Sequence, residues 1–308
     1  LFVHNRSVQV FFLKRISAAT GCVIDTGEIA FSFENGVKTT LNDLSIKSPT
    51  KDLNLLVKRV SFTFNFNKII SKRVINLSIF CFQPNFKTGL SSYPEGEQVF
   101  NPDFVRDSVN HFKNNFIKLG HLSVQEGFAK IKKSSLTFDA ISLDLFPAVK
   151  QPDSFAVNIF FNAEYKNEKA FFSLTGSITE DKLENQYCAD LKLSTKNAPL
   201  NWIPGHPVFK VTGGRVSADI KLAASTNGKI RFDGNLIAEN FSFCHETSTE
   251  RKTSIYPELA ADFTGNYSDK IFKISSMKLT GPDFSLSVIF ALGIARDPHI
   301  ALTLFSDF

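Results

Sequence analysis

The chain has 308 residues, 43% of them hydrophobic, enough for a substantial core in one large β domain or two smaller ones, which argues against disorder. Its net charge of +5 is spread along polar stretches rather than gathered into the basic stripe of a nucleic-acid module, and no apolar run reaches the roughly 18 residues of a membrane-spanning helix. Phe is the outlier: 33 Phe stand against one Trp, one Met and five Tyr, which brings bulk and apolar area with no polar handle.

Residues 8–20 hold good helix formers and Gly21 is a suitable stop, so the chain is expected to open on a short helix. Strands follow near 23–33, 41–48, 53–66 and 73–82, divided by turn signals at Glu34-Asn35-Gly36, at Ser48-Pro49 and around Lys68 to Lys72. A second helix is better marked. Asn101 can cap it, Pro102 fits its first position, and Asp103 puts negative charge near its start. Phe104, Val105, Val109, Phe112, Phe116 and Ile117 then recur at helical spacing, and Gly120 is expected to end the helix, which would cover or plug the sheet.

From Leu122 onward strands are expected at 122–131, 134–145, 154–164, 169–179, 186–195, 208–224, 228–244, 256–265, 270–280, 283–293 and 298–306. Their connections are short, as in Thr226-Asn227-Gly228, Gly265-Asn266 and Gly281-Pro282-Asp283, and short turns join antiparallel neighbours. The expected fold is therefore mainly β, one long antiparallel meander of roughly sixteen strands that must curl into a trough, with two short helices. Three parts are expected: 1–93 as a helix with a β meander, 94–121 as the helical segment, and 122–308 as the continuing trough.

The most informative pattern is alternation with period two, clearest in 60–66, 216–222, 230–236 and 284–288. In an extended strand it sends alternate side chains to opposite faces. Parity assigns to one face Phe62, Phe64 and Phe66; Val216, Ile220 and Leu222; Ile230, Phe232 and Leu236; and Phe284, Leu286, Val288 and Phe290. These are the expected lining of an apolar groove for acyl chains, against the competing reading that they pack together in a closed core.

Nothing in the chain reads as an enzyme. There is no GxSxG elbow, phosphate loop or dinucleotide fingerprint, and the Gly213-Gly214 pair before a strong strand fits a turn or bulge. The six His stand apart and Cys22, Cys81, Cys188 and Cys244 show no metal-ligand spacing, so no metal and no cofactor is expected. Cys22 and Cys81 could pair only if their strands were neighbours. Lys130-Ile131-Lys132-Lys133, the densest basic run, reads as a solvated strand edge.

The stretch Ala19-Thr20-Gly21-Cys22-Val23-Ile24 leads into Glu28-Ile29-Ala30-Phe31-Ser32-Phe33-Glu34-Asn35-Gly36 and Thr40-Leu41-Asn42-Asp43-Leu44-Ser45-Ile46. Val57-Lys58-Arg59-Val60, Asn67-Lys68-Ile69-Ile70-Ser71, Val74-Ile75-Asn76-Leu77-Ser78-Ile79 and Gln83-Pro84-Asn85-Phe86 follow. This order resembles the amino-terminal region of AsmA-like proteins, the bacterial envelope group that includes AsmA, TamB and YhdP. The later pair 214–222 and 229–236 is similar to their repeated strand pairs. The resemblance implies a periplasmic body tied to the inner membrane by a helix upstream of residue 1, and a β trough along which phospholipids pass between the two membranes. Its partners would be acyl-chain lipid, the membrane and other envelope proteins, with no nucleic acid. The alternative is a scaffold for outer-membrane protein assembly that works through exposed strand edges.

Overall fold

The computed structural model describes residues 14, 17, 22–33, 36–48, 53–65, 75–88, 117–131, 136–148, 154–181, 186–202, 209–246, 251–268, 271–293 and 300–307. The chain divides into two compact units, residues 1–166 and 167–308, and the boundary falls at Lys166 and Asn167, both with left-handed backbone.

The first unit contains β1 (Val23–Asp25), β2 (Glu28–Ser32), β3 (Val37–Ser48), β4 (Leu53–Asn65), β5 (Ile75–Thr88), β6 (Ile117–Ile131), β7 (Leu136–Pro147) and β8 (Ser154–Tyr165). Its strands lie in the order β1, β3, β4, β5, β6, β7, β8, and β2 pairs with the other half of β3. Strands form here because β-branched and aromatic residues alternate with polar ones, as in Leu41, Leu44 and Ile46 of β3 facing Val60, Val57 and Leu55 of β4. Val57 and Val60, each 3% exposed, and Leu44 make its buried centre, with Ile24, Phe62, Ile79 and Cys81 packed around them.

One expectation for this unit is overturned. The pairing of β5 with β6 is parallel, so the chain is not one antiparallel meander. Two parallel strands cannot be joined by a tight turn and need a crossover of a dozen or more residues. Residues 89–116 supply that length, and the helix expected at 101–117 lies almost wholly outside the described residues. Ile117 and Gly120 are strand residues at the start of β6, so Gly120 does not end a helix. Of the helix expected at 8–20, Lys14 and Ser17 are described and are helical, and the Ile24 amide donates to Ser17 Oγ. Among the described residues these two are the whole α-helical content, and the rest of both expected helices, Ile117 and Gly120 aside, lies outside the described residues.

The second unit contains β9 (Glu168–Asp181), β10 (Gln186–Pro199), β11 (Phe209–Ser225), β12 (Ile230–Glu246), β13 (Arg251–Ser268), β14 (Ile271–Thr280), β15 (Ser285–Gly293) and β16 (Ile300–Asp307). They pair in chain order, every pair antiparallel. The turn at Thr226-Asn227-Gly228 is as expected: Gly228 has φ +83° and its amide reaches the Ser225 carbonyl at 3.0 Å. Gly265-Asn266 is not a turn but the interior of β13. A Cβ at residue 265 would collide with the Phe232 ring and the Lys273 carbonyl, so glycine is there for close approach.

Left-handed residues interrupt the strands at matching levels. In the first unit Asp43, Gln83, Glu126 and Ala140 all have φ between 50° and 53°, and they stand near one another on β3, β5, β6 and β7. In the second, Asn197, Gly214 and Asn240, with φ of 55°, 112° and 51°, stand near one another on β10, β11 and β12, which gives the Gly213-Gly214 pair its bulge. Parity is reset at this level, where Lys58 and Arg59 of β4 are both exposed. In β4 the apolar side passes from Phe62 and Val60 to Val57 and Leu55, a step of three. The unpaired amide position also explains how Pro84 sits inside β5.

Candidate apolar binding face

Cross-strand partners share a face, so the register shows which side chains stand together. In the second unit one row runs Gly176, Leu191, Leu222, Phe232, Gly265, Ile274, Phe290 across β9 to β15. The next runs Leu174, Leu193, Ile220, Gly234, Phe263, Met277, Val288. Both rows lack any polar side chain. Flanking them are a row with Thr195, Leu236 and Leu286 and a row with Ala189, Ile230 and Phe272, and no charged residue stands in the four. At ~4.8 Å per strand and ~6.6 Å per pair of residues, they form an apolar field of roughly 29 by 20 Å.

The reverse side is largely polar, with Phe171, Ile237 and Ile289 as exposed exceptions. Its central row is Thr175, Lys192, Lys221, Asp233, Thr264 and Ser276, and the adjoining one carries Ser194, Asp219, Asn235, Asp262 and Lys278. Asp219 accepts a hydrogen bond from Ser194 Oγ and lies 3.1 Å from Lys192 Nζ, and these two partners, Ser194 first, hold its carboxyl below the usual range. A cleft of about 460 Å³ opens among these charges, and one of about 470 Å³ lies among Asp43, Lys58, Gln83 and Glu126 in the first unit.

The parity assignment places Ile220, Leu222, Ile230, Phe232, Leu236, Leu286, Val288 and Phe290 together on this one face, and Val216 with them. Phe62 and Phe64 share the corresponding face of the first unit with Leu41, Leu77 and Ile79, while Phe66 lies outside the described residues. All twelve described members are half-buried, and among the described Phe residues none is fully buried. A closed sandwich core would hide its facing aromatic side chains on both sides.

Two of the twelve have a different setting. A 3-10 turn, Leu200–Trp202, follows β10 and sends Leu200 onto Val211, Ala238 and Leu259, a cluster each no more than 8% exposed. Val216 and Phe284 pack against that cluster, and Tyr256 meets Phe284 edge-on at 5.7 Å. Here the face is filled by its own side chains. Phe232, by contrast, lies flat over Gly265 and stacks on Phe272 at 5.1 Å, nearly parallel at 10°. The parity of the strands could not reveal the turn, whose Leu200 was the missing signal.

His121 Nε2 lies 3.3 Å from Asp144 Oδ1 across β6 and β7 with both side chains exposed, a surface pair that sequence reading did not foresee. Burial raises the Cys81 thiol, and β1 and β5 are separated by β3 and β4, so the strands of Cys22 and Cys81 are not neighbours. Among the described residues no three His, Cys, Asp or Glu side chains converge as metal ligands. Lys130 is exposed near the end of β6, with Lys132 and Lys133 outside the described residues. No known protein family, curated protein or solved structure matches this chain.

Proposed function

We propose that the apolar face of the sheets holds or conducts lipid acyl chains and performs no covalent chemistry. One observation carries the reading: two adjacent seven-residue rows of purely apolar side chains and glycines, backed by a charged reverse side, with no side chain in them fully buried. A surface without hydrogen-bonding groups favours an occupant without them, and a methylene chain meets that condition while its head group stays in water. Displaced water supplies the affinity, at about 25 cal/mol per Å² or about 0.8 kcal/mol per buried CH₂. The resemblance to AsmA-like envelope proteins fits the same use, with phospholipid moving through a periplasmic segment between inner and outer membranes.

The test is a chain-length series of saturated fatty acids titrated against the intact chain. Each added methylene is expected to tighten binding roughly three- to fourfold until the field is filled. Affinity independent of chain length contradicts the reading.

A second reading rests on β16, which among the described residues pairs only with β15 and carries no Lys, Arg or Pro to guard its outer edge. Such an edge suits the addition of a strand from an outer-membrane protein client. Photocrosslinks from Thr303 to protein rather than lipid would favour it.

A further inference from the structure

We propose that the apolar face of the second unit is a one-ended cradle, in which an acyl chain docks on the open rows around Phe232 and is stopped by the packed end under Leu200. The inference rests on the acyl-chain reading above and adds where on the face the chain lies.

Burial falls along the strands, from the row beside Leu200 through Ala261, 1% exposed, to the rows around Phe232. The row Ala198, Val216, Ala238, Leu259 is closed: Ala198, Ala238 and Leu259 are 6%, 4% and 7% exposed. Leu200 sits over it at 8%, and Phe284 and Tyr256 pack alongside. Three rows away the side chains of Phe232, Ile274 and Phe290 are all half-buried. The change coincides with the bulges at Asn197, Gly214 and Asn240, where added twist and bend re-aim the strand ends.

A methylene chain pushed into the closed end must displace side chains already packed at interior density and gains little contact in return. On the open rows every carbon it covers was facing water. Phe232 favours this placement further, because a ring lying flat over Gly265 and against Phe272 leaves a low floor on which a chain can rest.

The protein carries its own probe. Trp202, the chain's single Trp, ends the turn that brings Leu200 onto the closed row. The intact chain is titrated with a fatty acid brominated at mid-chain, which quenches indole emission on contact, and retention of a radiolabelled fatty acid reports binding separately. The expected result is that Trp202 emission is unchanged at saturation, whereas the Trp202→Phe/Phe232→Trp variant loses at least half of its emission. Trp202→Phe/Phe290→Trp serves the same purpose should the first variant fail to fold. Quenching of Trp202 as strong as that of the Phe232→Trp probe overturns the stop and leaves acyl binding standing. Retention of fatty acid with neither probe quenched overturns the docking position. Absence of retention overturns the acyl-chain reading itself, and this proposal with it.

Discussion

Phe232 and Val57 show how the same residue pattern can serve two ends. Val57 is 3% exposed at the centre of the first unit, and a carboxylate placed there has no water and no partner. Val57→Asp is expected to cost about 4 kcal/mol or more and to unfold the first unit's sheet. Phe232 is half-buried on an open field, so Phe232→Asp loses a ring stack and some apolar contact but keeps its charge in water. Its expected cost is about 1–3 kcal/mol, with a folded protein that no longer retains fatty acid. Urea titrations followed by far-UV circular dichroism separate the two. Equal collapse of both variants would mean that Phe232 sits in a core.

The residue scale also shows what a single sequence conceals. Alternation located Leu222, Phe232 and Phe290 on one side because nothing interrupts the strands between them and their partners. Gly265 reads as a turn residue in sequence but lies inside β13, since a glycine that admits a neighbouring ring and a glycine that turns the chain look alike in sequence. Phe284 and Val216 have the right parity, yet their partner Leu200 comes from a three-residue turn with no periodicity to read.

At the level of the element, the bulges organise the sheet. Asp43, Gln83, Glu126 and Ala140 adopt left-handed backbone although none is glycine, a conformation that costs such a residue about 1–2 kcal/mol. They cluster at one level of the sheet, on β3, β5, β6 and β7. Ala140 is exposed, so replacing it removes no packing. Ala140→Gly is expected to raise stability by about 0.5–1 kcal/mol in a urea titration, the relief of strain outweighing glycine's chain entropy. A loss of stability would show that the left-handed backbone carries no strain at this position. These bulges were not legible in advance, since the choice is made by cross-strand register and not by the residue types. Hairpins with their own turn chemistry, such as the one closed by Gly228, were legible because the signal is local. The parallel β5 and β6 pair lay behind a long connection, and no local rule reports which partner such a segment returns to.

Over the whole molecule, sixteen strands among the described residues build two units, and the second sets an apolar side against a largely polar one. The large Phe content is explained by where it goes: Phe supplies area to faces that nothing fully covers. The first unit hides part of its face beneath a small buried centre at Val57 and Val60, whereas the second leaves a wide field open and closes only one end. Such a division is costly for a protein with no apolar occupant, because exposed contiguous apolar surface invites association.

Native mass spectrometry of the intact chain, purified without detergent and compared before and after solvent extraction, addresses this most directly. The account predicts a folded protein carrying extra mass that extraction releases as acyl-chain lipid, at a stoichiometry reduced by Phe232→Asp. A folded, monomeric protein whose mass equals that of its sequence alone, and which takes up no lipid when offered it, would contradict the account.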